Sequence, residues 1–267
     1  LEARHARRRH VLRRVGRVVA GLLLLAAVGV LVAGVLRGTP GRGPARAGGP
    51  GPAGSPGPAQ AYPAVPTVVP SGVVDSGVPQ SGPGTFAFAT GTGAMLGPAG
   101  GKLRTYRVAV ENSAGQQAAG FAAEVQQTLG DPRGWTAGGQ VRFQRVPQAT
   151  TADFTIYLAT PATTDTMCAA GGLHTLRYTS CRLPGQIVIN LARWLVAVPG
   201  YGAPLQAYRQ FAVNHEIGRE LGYGNQTCPG PRQPAPVMQQ QTLGLAGCEP
   251  NPWPYLGGVL YQGHAIP

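Results

Sequence analysis

Apolar positions divide the 267-residue chain into stretches of different character. Residues 18–36 form an uncharged apolar run of 19 residues, just long enough to cross a bilayer as one helix. Residues 37–83 show no regular alternation. From residue 84 the pattern becomes that of folded protein. Strands are predicted over 85–89 and 103–110, the second alternating Tyr106, Val108 and Val110 against Arg107 and Ala109. A helix over 118–129 puts Phe121, Val125 and Leu129 on one stripe, and Gly130-Asp131-Pro132 stops it. Further strands are predicted over 141–146, 154–158 and 186–190. A long helix over 204–221 carries Val213, Ile217 and Leu221 toward the core, with Tyr208, Ala212, His215, Arg219 and Gly222 along an expected cleft.

Composition changes the picture at the N-terminal end. Glycine (41) and proline (26) are about a quarter of the chain and cluster in residues 37–83, without the every-third-residue glycine of collagen. That stretch reads as a disordered linker, able to hold a domain roughly 40 Å from its start as a coil or on the order of 140 Å if extended. The net charge is +12, but ten arginines (4, 7, 8, 9, 13, 14, 17, 37, 42 and 46) precede the folded part and the remainder is nearly balanced. The charge is therefore no argument for nucleic-acid binding. Seven of those arginines precede the apolar run, so the positive-inside rule makes residues 1–17 a cytoplasmic tail and 18–36 a transmembrane helix. Residues 84–267 then form an extracytoplasmic domain on a single-pass cell-membrane protein. A cleaved signal peptide is the competing reading, and it exports the domain equally.

Four cysteines, Cys168, Cys181, Cys228 and Cys248, lie in that domain and allow three connectivities. The sequential pairs Cys168–Cys181 and Cys228–Cys248 are expected, because each closes a short loop containing Gly or Pro. No CxxC pair is present to favour a four-cysteine zinc site.

The long helix ends in the one stretch with a chemical signature, Asn214-His215-Glu216 followed by Arg219, Gly222 and Asn225. The spacing is that of HExxHxxGxxH. In the intact pattern two His at i and i+4 and a third after the Gly turn hold zinc, while the Glu acts as general base. Here His215 and Glu216 remain, and Arg219 and Asn225 occupy the other ligand positions. A guanidinium cannot ligate zinc. Arg219 is expected to fill the metal position with its own charge and to favour ionised Glu216. Glu220, about 140° round the helix from His215, is expected to point away from the cleft. His174 and His264 read as surface histidines.

Motifs spread over the domain carry a resemblance. Asp131-Pro132-Arg133-Gly134-Trp135, Ala152-Asp153-Phe154, Ser180-Cys181, Asn190 with Arg193-Trp194, Tyr208-Arg209-Gln210, Asn214-His215-Glu216, Cys228-Pro229, Ala235-Pro236-Val237-Met238, Gly247-Cys248 and Asn251-Pro252-Trp253-Pro254-Tyr255 occur in order. Together they resemble a bacterial domain of unknown function family, number 3152, over roughly residues 84–255. That family in turn resembles the metzincin-like zinc peptidases. The resemblance implies an α+β fold: a twisted mixed sheet with backing helices, an active-site helix, and a methionine-containing turn matched here by Met238. It also implies zinc as the family's cofactor, His215 as a ligand and Glu216 as the catalytic base.

Two functions follow as expectations. One is a membrane-anchored zincin-like protein that binds no zinc, has lost catalysis, and keeps its cleft for a peptide or a cell-wall-associated protein. The other is an active zinc-dependent peptidase with an unconventional metal site, or with sequence errors at Arg219 and Asn225, each one base change from a His codon. A wall-binding structural module is the third and blandest reading.

Overall fold

The computed structural model describes residues 77–266. The expected tail, the apolar run of 18–36 and most of the linker lie outside the described residues. Among the described residues no helix is long and apolar enough to cross a membrane.

A mixed seven-stranded sheet organises the fold. Its strands are β1 (Phe86–Phe88), β2 (Met95–Leu96), β3 (Lys102–Glu111), β4 (Val141–Arg145), β5 (Phe154–Ala159), β6 (Cys181–Leu183) and β7 (Gln186–Asn190). They run in the order β2-β4-β3-β5-β7-β6. The central β4, β3, β5 and β7 are parallel, and β2 and β6 are antiparallel edge strands. Beyond the end of β4, β1 pairs antiparallel with the last residues of β3. A separate hairpin, β8 (Tyr255–Leu256) with β9 (Val259–Leu260), lies near the C-terminal end of the described residues.

Four α-helices occur among the described residues: α1 (Ala118–Gly130), α2 (Pro161–Ala169), α3 (Leu191–Val196) and α4 (Leu205–Glu220). β5 and β7 read as apolar runs because both faces of the sheet are covered. Phe154, Ile156, Leu158, Ile187 and Ile189 enter the main core with Phe121, Val125 and Leu129 of α1 and Tyr208, Phe211, Val213 and Ile217 of α4. Their alternates Ala159 and Val188 face the other way, into a smaller cluster with the Cys168–Cys181 disulfide. Period-two geometry thus splits each central strand between two layers.

The fold is α+β, as expected, and the long elements fall within a residue or two of their predicted bounds. The short ones, β2, β6, α2 and α3, have no prediction, since two to nine residues carry too little periodicity. Asn190 explains α3: its Oδ1 accepts from Ala192 N at 2.9 Å, capping a helix that begins where β7 ends. Ahead of residue 84, Val78 already packs on the core and the Gln80 carbonyl accepts from Ala162 N at 3.0 Å.

Candidate functional site

Helix α4 ends in a Schellman motif built on Gly222 at φ +98°. Tyr223 N donates to Gly218 O at 2.9 Å and Gly222 N to Arg219 O at 3.2 Å, so the chain reverses as the glycine predicts. Three residues later it delivers Asn225, which is buried, with an Oδ1 that has no hydrogen-bond partner among the described residues. The next amide, Gln226 N, donates to Met238 O at 3.0 Å. The returning segment therefore lies against the turn that carries Met238.

That turn packs directly on the helix. A Cβ at Gly218 would collide with the Met238 sulfur and stand 2.6 Å from Trp135 Cζ2. Only glycine lets the helix come this close. Val237 O, one residue before Met238, lies 2.9 Å from His215 Nδ1. A carbonyl only accepts, so Nδ1 carries the proton and the Nε2 lone pair is left available. Burial lowers the His215 pKa to about 4, with the Arg219 charge acting the same way, so the ring is neutral at pH 7.

Glu216 departs from expectation. Arg219 and Arg182 both favour its ionised form, but burial outweighs them and raises its pKa to about 8. The carboxyl is therefore mostly protonated at pH 7. The expected cleft side of the helix is also largely packed, since Tyr208 and Ala212 are buried along with His215 and Glu216. The Arg219 side chain folds back over the helix end, its Nη1 donating to Tyr223 O at 3.0 Å.

Glu220 points away from His215 into an ion cluster that the sequence does not reveal. Its carboxylate accepts from Arg104 Nη2 at 2.8 Å and from Arg182 Nε at 2.6 Å, and its side chain is 5% exposed. Arg104 lies on β3 and Arg182 on the edge strand β6, so this cluster ties the helix end to both. Arg182 also reaches Glu216 electrostatically. Its one sequence signal is a charge inside the apolar triplet Cys181-Arg182-Leu183.

Several of the motifs scattered through the sequence meet at the second half of this helix and the Met238 turn. Arg133 forks onto Asp131 with two 2.9 Å bonds, and its guanidinium lies 4.2 Å from the Trp253 ring centroid. The ion pair holds the Asp131 carboxyl below its usual range. Trp135 Nε1 donates to Asn214 O at 2.8 Å, and Asn214 Nδ2 to Pro252 O at 2.9 Å. Asn251 Nδ2 donates to Ala235 O, and Gln241 Nε2 to Pro236 O and Asn251 O, bracing the Met238 turn. The Cys228–Cys248 disulfide closes the same region.

A family model described as "Protein of unknown function (DUF3152)" matches residues 73–256, more than half of the chain. The chain belongs to the DUF3152 family. No curated protein and no solved structure matches it. The family span covers the whole sheet and the helix with its bracing motifs, and it ends before β9.

In this DUF3152 domain the residues present do not fit a catalytic zinc. Such a site takes three protein ligands, and of the three positions that the spacing assigns, one holds an imidazole and the other two a guanidinium and a carboxamide. Both sequential disulfides are formed, Cys168–Cys181 and Cys228–Cys248. His174 and His264 are exposed, as their surroundings in the sequence imply.

Proposed function

We propose that this domain is a zincin-like relative of zinc peptidases that has lost catalysis and binds a peptide or a cell-wall-associated protein. The observation that carries the reading is the charge set at the end of α4. His215 is oriented as a ligand would be, with Nδ1 bonded to Val237 O at 2.9 Å, but the position one turn on holds the Arg219 cation. That cation opposes any further positive charge beside the ring. Burial raises the Glu216 pKa to about 8, so the carboxyl is mostly protonated at pH 7 and only its minor ionised fraction is free to act as a base. In this reading Arg219 and Asn225 replace ligands, and the scaffold around Met238 is kept for binding. The arginines before the apolar run of 18–36 favour a membrane-anchored protein with this domain outside the cell.

The test is metal analysis of the full chain together with an assay for peptide cleavage. We expect no stoichiometric zinc, no chelator-sensitive cleavage, and no gain from Arg219→His alone. Arg219→His combined with Asn225→His restores three ligands and is expected to restore tight zinc binding. Stoichiometric zinc with chelator-sensitive cleavage in the unaltered chain would establish the active-peptidase reading instead.

A further inference from the structure

The last described residues run antiparallel to the segment that returns from α4, with Gln226 opposite Ala265. Thr227 N donates to His264 O at 2.9 Å, Ile266 N to Asn225 O at 3.0 Å, and Gly263 N to Gln226 Oε1 at 3.1 Å. Two of these three bonds use only backbone groups, so the arrangement is that of a peptide added to an open strand edge. The other edge of Gln226 is already taken, since its N–H donates to Met238 O. Residues 225–227 are thus an extended segment, with one bridge at Gln226, between the Met238 turn and this tail.

One position in the tail has a strict requirement. A Cβ at Gly263 would collide with the Thr227 carbonyl oxygen and stand 2.8 Å from Pro236 Cγ. Backbone and a proline ring cannot move aside as a flexible side chain would, so only glycine fits. The residues around it are held lightly, with Gln262, His264 and Ala265 exposed. Few buried contacts and solvent-facing hydrogen bonds mark a segment that opens at low cost. The tail also lies beyond the family match of residues 73–256, whereas the segment it covers lies within it.

We propose that residues 225–227 are a strand-addition site for an extended peptide bearing a glycine, occupied in this structure by the chain's own residues 263–266. Backbone bonds supply the attachment, and the pocket between Thr227 O and Pro236 selects the glycine. The edge begins at Asn225 and is bonded through Gln226 to the Met238 turn, so a peptide bound here touches the segment that closes the helix end. Whether the domain cleaves peptides does not enter this inference.

The test uses the full chain and a labelled peptide, Tyr-Gln-Gly-His-Ala-Ile, with hydrogen exchange read at the Thr227 and Ile266 amides. In Gly263→Val the tail is expected to leave, and Thr227 exchange to rise about tenfold or more, as loss of its hydrogen bond implies. Added peptide is expected to restore Thr227 protection in this variant, and to bind it about tenfold or more tighter than it binds the unaltered chain, where the tail competes. A peptide with Val in place of Gly is expected not to bind. Ile266→Pro, which removes the donor to Asn225 O, provides a second way to weaken the tail without touching the core. Unchanged Thr227 exchange in both variants overturns the proposal. So does a freed Thr227 amide that the glycine peptide fails to protect at millimolar concentration.

Discussion

Replacing Glu220 by Gln removes a charge while keeping the shape of the side chain, at the point where α4, β3 and β6 meet. Its carboxylate is 5% exposed and bonds Arg104 at 2.8 Å and Arg182 at 2.6 Å. Breaking one partner out of a fully buried ion pair costs about 3–5 kcal/mol, because a desolvated charge is left behind. The two arginines are not fully buried, however, with side chains 20% and 29% exposed, and Arg104 keeps Asp153 at 3.8 Å. Water and Asp153 take up part of the lost interaction, so the expected loss is about 2–3 kcal/mol. For a domain of this size that lowers Tm by about 5–10 °C. All three tryptophans, Trp135, Trp194 and Trp253, lie in the described domain, so their fluorescence in the full chain reports on its unfolding alone. A second readout separates this role from simple packing. With Glu220 neutral, the Arg182 charge acts on Glu216 uncompensated, and the Glu216 titration moves below about 8. A Tm drop of less than about 2 °C would refute the claim that the cluster anchors the helix end.

The buried pair beside it makes stability depend on pH in two opposite senses. Glu216 is raised from 4.5 to about 8, so the folded state holds a proton the unfolded chain releases, and stability falls as pH rises from 4.5 through 8. His215 is lowered from 6.5 to about 4, so its contribution is complete above pH 6.5 and is lost as pH falls through 4. Glu216→Gln is therefore expected to match the unaltered chain near about pH 5 and to have the higher Tm near about pH 9. Parallel pH profiles for the two would contradict this. Replacing Cys228 and Cys248 together by Ser opens a loop of sequence separation 20 and is expected to cost about 3 kcal/mol. Peptide mapping without reduction checks the pairing, and crossed links would refute it.

The sequence alone determined what depends on near neighbours. Phe121, Val125 and Leu129 fall on one face of α1 because 3.6-residue geometry puts them there, and all three are buried. Gly222 marked the end of α4 because a positive φ favours glycine, and the four cysteines paired across their short loops. The spacing also placed His215, Glu216 and Arg219 on one helix and Asn225 just past its turn, as the structure has them. Tertiary structure decided the rest. Glu220 meets Arg104 across a sequence separation of 116 and Arg182 across 38, distances at which no local pattern signals a partner. The ionisation of Glu216 also could not be read from sequence. Arg219, three residues away, argues for a carboxylate, and only the burial supplied by the surrounding chain makes desolvation outweigh it. The contact between residues 225–227 and the tail follows the same logic, since what Gly263 must avoid is the Thr227 carbonyl, and only the fold brings the two together.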